Sequence, residues 1–111
     1  MSRRPYVLTR SAAADLREIG RFTAEKWGEA QRRAYMQQLH AAASEVAEGR
    51  GVFKDWGSLL PGLRVRGAGS HFIFCLARGG RQALILAIFH ERMDLMTRLQ
   101  RRLETPEGRQ R

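Results

Sequence analysis

The chain predicts an α+β domain with the order β-α-α-β-β-β and a short C-terminal helix. Three observations predict it: two apolar stripes of helical period separated only by Gly28, a period-two alternation at Leu63-Arg64-Val65-Arg66, and two continuous apolar runs of strand length (HFIFCLA, residues 71–77, and ALILAIF, residues 83–89). A chain of 111 residues, 43% of them apolar, can bury one modest core. We therefore expect a single domain over residues 1–104 and a flexible tail over 105–111.

Tyr6-Val7-Leu8 is a short β-prone run, and Thr9 or Ser11 then offers a side-chain oxygen to cap a helix. Ala12, Leu16, Ile19, Thr23 and Trp27 recur on one helical face, with Phe22 beside them. Gly28 breaks the pattern. A second stripe follows at once in Tyr35, Leu39, Ala42 and Val46 and ends at Gly49, so two antiparallel helices form a hairpin. Residues 50–62 carry three glycines and a proline and read as a loop pinned by Phe53 and Trp56.

Leu63 to Arg66 then reads as a half-exposed strand whose outer face carries Arg64 and Arg66, with Gly67-Ala68-Gly69-Ser70 as the turn. The two apolar runs read as central strands covered on both faces, and Gly79-Gly80 between them suits a hairpin turn. Met93, Met96, Leu99 and Leu103 mark a final short helix, which Thr105-Pro106-Glu107-Gly108 ends.

The formal net charge is +9, from 20 Lys+Arg against 11 Asp+Glu, which suits an acidic partner: nucleic acid, an acidic protein segment or a membrane surface. Lys26 and Lys54 are the only lysines. The other basic residues are arginine, whose planar fork fits carboxylates and phosphates, although an arginine-biased genome would produce the same composition. Cys75 is the only cysteine, which excludes an internal disulfide and a cysteine metal cluster. The N-terminus lacks the apolar stretch of a signal peptide and no run approaches membrane-spanning length, so a cytoplasmic protein without membrane contact is expected.

Little in the sequence organises into catalytic chemistry. His40, His71 and His90 stand in no catalytic spacing; His40 reads as a partly exposed helix residue, His71 and His90 as structural or partner-contacting residues that could also serve as acid or base. The three aspartates and eight glutamates form no ligand motif around them, and neither metal nor cofactor is expected. Arg64, Arg66, Arg78, Arg81, Arg92, Arg98, Arg101 and Arg102 remain, readable as a binding surface or as a solvated basic rim.

Tyr6-Val7-Leu8-Thr9, then Ala14-Asp15-Leu16-x-x-Ile19, then Thr23-x-x-x-Trp27-Gly28-x-x-Gln31, resembles the opening of the ParE toxins of bacterial type II toxin–antitoxin systems. Pro61-Gly62-Leu63-Arg64, Gly69-Ser70-His71-Phe72-Ile73-Phe74 and Phe89-His90-Glu91-Arg92-Met93-Asp94 keep that family's order, so the resemblance runs from Tyr6 to Leu99. Two departures stand out. Cys75 and Leu76 follow Ile-Phe where a tyrosine is frequent, and Glu48-Gly49-Arg50-Gly51 replaces a proline-containing turn.

The resemblance implies a RelE/ParE-like fold, a helical hairpin packed on a small antiparallel sheet. It also implies a toxin that inhibits DNA gyrase by binding, with no catalytic residue, and that a cognate ParD-like antitoxin neutralises in a hetero-oligomer. On that reading Arg64, Arg66, His71, His90, Arg92 and Asp94 are the target-binding residues. Trp27, Tyr35 and Arg64 are the antitoxin contacts, although Trp27 and Tyr35 also lie on the apolar stripes and read as core. Two alternatives stand beside it. One is a RelE-like ribosome-dependent mRNA endoribonuclease, with His90 as acid or base and Arg64, Arg66 and Arg81 stabilising phosphate charge. The other is a toxin-fold interaction domain that has lost toxicity. Direct sequence-specific DNA recognition is not expected.

Overall fold

The computed structural model describes residues 4–104, so the tail expected at 105–111 lies outside the described residues. The elements are β1 (Tyr6–Leu8), α1 (Arg10–Trp27), α2 (Glu29–Ala47), β2 (Lys54–Asp55), β3 (Leu63–Ala68), β4 (His71–Leu76), β5 (Ala83–His90) and α3 (Leu95–Glu104). The α+β class and the expected order hold. The addition is β2, two residues of the glycine-rich segment that pair with Arg64 and Val65 of β3.

Each helix of the hairpin is delimited by the residues the sequence offers. Thr9 caps α1: its Oγ1 accepts from the Ala12 N–H at 3.0 Å, and the residue is fully buried. Gly28, at φ 96°, is the whole connection between α1 and α2. Its N–H reaches the Ala24 carbonyl and its carbonyl accepts from the Arg32 N–H. At the end of α2 the Gly49 N–H bonds the Val46 carbonyl and the Arg50 N–H the Glu45 carbonyl, with Gly49 at φ 73°. That paired closure uses a left-handed residue that glycine adopts without a Cβ penalty.

The sheet has the order β1-β5-β4-β3-β2. Every neighbouring pair is antiparallel except β1 and β5, which run parallel with Tyr6 opposite Ala83 and Leu8 opposite Ile85. The sheet is therefore mixed where an antiparallel one was expected. Local patterning identifies a strand but not its neighbour, and β1 docks on the edge left open by the β3-β4-β5 meander.

Both faces are covered. The hairpin side buries Ala12, Leu39, Ala42, Ala43 and Val46 against Ile73, Cys75, Ile85 and Ile88. The opposite side buries Leu63, Val65, Phe74, Leu84, Leu86, Phe89 and Leu99, with Trp56 and Leu60 of the loop packed on them. Each such aliphatic or aromatic side chain contributes about 1.5–3 kcal/mol. In α3 the apolar stripe is Leu95, Leu99 and Leu103, with Leu99 fully buried; Leu99 and Leu103 are as expected, whereas Leu95 takes the place expected for Met96, and Met93 and Met96 remain exposed.

Arg64 and Arg66 alternate with Leu63 and Val65, which occupy the α3 side, so they point toward the helical hairpin and not to an outer face. Arg64 Nη1 donates to the Val46 carbonyl at 2.8 Å, and its guanidinium lies 5.2 Å from the Phe53 ring centroid. Arg66 pairs with Glu45 at 2.7 Å. The positive fork supplies donors to orphan carbonyls at a helix C-terminus, where the macrodipole is negative. β3 also continues through Gly67 and Ala68, leaving Gly69 and Ser70 as the turn.

One irregularity decides which side chains meet. Phe74 of β4 pairs with Ala87, but Cys75 pairs with Ile85, so Leu86 is an extra residue in β5. Beyond this bulge the alternation is reversed, and Ile88 and His90 turn to the hairpin side. β1 ends opposite Ile85, so the edge of β5 from Leu86 onward has no strand beside it. Asp15 of α1 and Arg102 of α3 close that edge. Arg102 binds the Asp15 carboxylate through both Nη atoms at 3.0 and 3.1 Å, Asp15 accepts from the Ile88 N–H at 3.0 Å, and Arg102 donates to the Leu86 carbonyl at 3.0 Å.

The side chains of this pair are each only 17% exposed. Removing one partner strands a charge in a site largely closed to water. We expect Asp15→Asn and Arg102→Met each to cost about 2–4 kcal/mol in urea denaturation. The double variant should lose less than the sum, because both changes remove one interaction. Additive losses would show that the two side chains act separately.

Candidate functional site

At the end of the sheet where β4 begins and β5 stops, the bulge places His90 directly across from His71 on the hairpin side. Their rings are 5.2 Å apart, edge to face. Tyr35 descends from α2 onto His71, with its hydroxyl 2.7 Å from Nδ1, and accepts the Ser70 N–H at 2.9 Å. Gly69, at φ 58°, permits this approach: a Cβ there would come within 2.5 Å of the Tyr35 ring.

Above the two imidazoles lies an open groove of about 440 Å³, walled by Ile19, Phe22, Thr23 and Trp27 of α1 and by Met93. Trp27 is 65% exposed and Phe22 55%, so they are not core residues. Helical periodicity marks the face they share, but at Phe22 and Trp27 that face borders the open groove. Lys26 sits over both rings, 5.6 Å from the Phe22 centroid and 5.8 Å from that of Trp27.

Burial holds His71 in its neutral form, with a pKa lowered to about 4; neighbouring His90 pushes the same way, while Glu91 and Asp15 oppose it. A neutral ring accepting at Nδ1 carries its proton on Nε2. The Tyr35 hydroxyl, 2.7 Å from Nδ1, is also 3.4 Å from the Ala68 carbonyl and can meet this nitrogen as donor or as acceptor. In His90 the Nδ1 accepts from the Arg92 backbone N–H at 3.1 Å, which leaves Nε2 as the ring's donor. His71 presents Nε2–H whenever Tyr35 donates to its Nδ1.

The remaining sequence-predicted residues are dispersed. Arg64 and Arg66 are committed to α2, and Asp94 accepts from the Thr97 N–H and hydroxyl at the start of α3. Arg92 is exposed beside the histidine end. Arg81 lies in the β4–β5 turn, at the opposite end of β5 from His90, so Arg64, Arg66 and Arg81 do not gather around His90. His40 is apart from the groove: its Nδ1 meets the Tyr6 hydroxyl, and burial, with Arg4 adding, lowers its pKa. Sequence reasoning singled out Tyr35 and His71 separately and missed their bond. Among the described residues no group of three or more His, Cys, Asp or Glu side chains could hold a metal ion, and no helix is long and apolar enough to cross a membrane.

Comparison with known proteins agrees with this architecture. Residues 6–95 match the family model described as the ParE toxin of the type II toxin–antitoxin system, parDE. Toxin ParE of Escherichia coli is 50% identical over 99 residues, covering 89% of this chain and 96% of that protein. Toxin ParE1 of Caulobacter vibrioides is 32% identical over 96 residues, covering 86% and 98%. A solved structure described as the chromosomal ParDE TA system from P. aeruginosa superposes with a TM-score of 0.58 at 23% identity, covering 77% of this chain and 92% of that one. The matched span of the family model stops at Leu95, the first residue of α3.

The lowered pKa of the half-buried His71 predicts a fold that is sensitive to acid. The unfolded chain protonates this ring near 6.5 and the folded one only near about 4, so stability declines as pH falls from about 6.5 toward 4. His40, lowered by burial, adds to the same trend. We expect Tm plotted against pH to fall across that window and His71→Gln to flatten the slope. An unchanged slope in the variant would show that His71 is not held neutral.

Proposed function

The chain belongs to the ParE toxin family of type II toxin–antitoxin systems, and from that membership we propose that it arrests growth by binding DNA gyrase and is silenced by a cognate ParD-like antitoxin. The observation that carries this reading is the combination of the family match across residues 6–95 with an unfilled groove where Trp27 and Phe22 stand exposed. An exposed Trp and Phe over a groove, rimmed by a cation, are what a binding surface needs and an isolated monomer does not. The net charge of +9 favours an acidic segment as the neutralising partner.

Binding, not catalysis, is the proposed mode of action. The mRNA endonuclease reading needs Arg64, Arg66 and Arg81 beside His90 to stabilise the phosphate, whereas Arg64 is spent on helix carbonyls, Arg66 on Glu45, and Arg81 lies at the far end of β5. The proposed target-facing residues are Arg92, with His71 and His90 beside it. Arg64, Arg66 and Asp94 contribute by holding α2 and α3 in place.

Purified protein added to a gyrase supercoiling reaction should inhibit it, and the antitoxin encoded beside the gene should relieve the inhibition. Transcript cleavage on translating ribosomes without any effect on gyrase would overturn the reading. Arg92→Ala should weaken inhibition about tenfold or more with unchanged Tm, as expected for a charged contact to a partner. Arg64→Ala should instead lower stability by about 1–3 kcal/mol, through the uncapped carbonyls of α2. Deleting residues 92–111 would also remove α3 and Arg102, so these point variants separate target contact from folding.

A further inference from the structure

We infer that His71 and His90 together form a subsite for one side-chain carboxylate, an Asp or Glu carried next to an apolar residue on a partner's peptide segment. This deepens the antitoxin reading and rests on it: the groove is the proposed docking surface, and the histidine pair is the point in it that would recognise charge.

The argument starts from the two Nδ1 atoms. That of His90 faces a backbone N–H, which can only donate, so the His90 donor is Nε2. That of His71 faces the Tyr35 hydroxyl, which can donate to it and so leave the His71 proton on Nε2 as well. No hydrogen bond reaches either Nε2 among the described residues. The ring centroids lie 5.2 Å apart and both rings line the groove, which puts two imidazoles within reach of one two-oxygen acceptor. A carboxylate selects the state in which both rings donate.

The surroundings fit an anion. From α1, Asp15 is neutralised by Arg102 of α3, and Glu18 at the rim is held by Arg21. Tyr35 from α2 is a positioning residue that holds the His71 ring at Nδ1 and can donate to it. Glu91 and Arg92 follow β5 with charges of opposite sign. The walls of Ile19, Phe22, Trp27 and Met93 are apolar and provide a seat for the apolar neighbour of the carboxylate.

A carboxylate beside His71 favours the charged ring that burial disfavours in the free protein. Occupation therefore takes up a proton: the bound complex holds its histidine proton to higher pH than the free chain. Affinity rises as pH falls through the bound-state value toward about 4, by about tenfold for each unit by which binding raises the pKa.

Two experiments test the subsite. In the first, the antitoxin encoded beside the gene is titrated calorimetrically into wild-type, His71→Phe and His90→Phe protein, with each Asp or Glu of its toxin-binding segment changed in turn to Asn or Gln. One carboxylate should couple to both histidines in double-mutant cycles, and wild-type affinity should rise from pH 8 to pH 6 while the Phe variants show little change. Tight binding with no coupling to any carboxylate overturns the subsite and leaves the antitoxin reading intact. Absence of antitoxin binding overturns that reading.

The second experiment reads the groove without the antitoxin. Phenylpropionate and phenylpropionamide are titrated while the imidazole resonances are followed by NMR. The acid should bind with a dissociation constant of order 1 mM, raise the His71 pKa and lose affinity in His90→Phe, whereas the amide should bind more weakly. Equal binding of the two, or none, overturns the carboxylate subsite. Thermal denaturation of each variant identifies any that fails to fold, and Tyr35→Phe, which keeps both rings, should weaken the acid by an intermediate amount.

Discussion

The Asp15–Arg102 pair is the contact on which the arrangement of the three layers depends. β1 is too short to cover β5, and past Ile85 the central strand would show bare backbone on that side. A helix from each face of the sheet reaches round this edge, and the two side chains close on each other and on the strand. One carboxylate accepts a strand N–H, one guanidinium donates to a strand carbonyl, and the ion pair links them. Desolvating both charges would be unfavourable in isolation, but the fork geometry and the backbone partners satisfy them together. The guanidinium also lies 5.0 Å from the Phe89 ring centroid, tying the polar clasp to the apolar core beneath α3.

The clasp and the bulge are two sides of one solution. Inserting Leu86 disturbs the ladder, and the backbone groups it unsettles are those that Thr9, Asp15 and Arg102 attend: the Leu86 carbonyl receives both Thr9 Oγ1 and Arg102 Nη1. In return the alternation of β5 reverses before its last residues. Without the reversal His90 would face α3 and His71 would face the hairpin, with the sheet between them. The histidine pair is thus a consequence of strand irregularity, and each ring is held at Nδ1 by its own neighbour, His71 by the Tyr35 hydroxyl and His90 by the Arg92 N–H.

This explains what the sequence made legible. Helix boundaries were readable because Thr9, Gly28 and Gly49 each solve a terminal hydrogen-bonding problem locally. The central strands were readable because residues 83–89 are apolar throughout. That same uniformity concealed the bulge, since a run with no polar residue carries no parity and offers no sign of where alternation slips. Arg64 and Arg66 misled for the opposite reason: perfect alternation with Leu63 and Val65 implies an outer face, but at the sheet edge the hairpin side is polar because helix carbonyls end there. The exposure of Trp27 was equally hidden, because periodicity reports a face and not whether anything covers it.

The charge balance acquires a different meaning once the arginines are located. Arg21, Arg32, Arg50, Arg66 and Arg102 are paired with carboxylates of the same chain, and Arg64 with helix carbonyls. These internal pairs consume acidic groups as well as basic ones, so they leave the net charge of +9 unchanged. Such a surface attracts acidic partners at long range, in a way that salt screens. Discrimination among those partners must come from short-range features that water cannot imitate. The groove between α1 and the ends of β4 and β5 has them: aromatic walls, a cation over their rings, and a floor of two imidazoles each held at Nδ1 by a neighbour of the same chain. Rings positioned in advance lose little freedom on binding, so a partner bearing one correctly placed acceptor is distinguished from one bearing only negative charge.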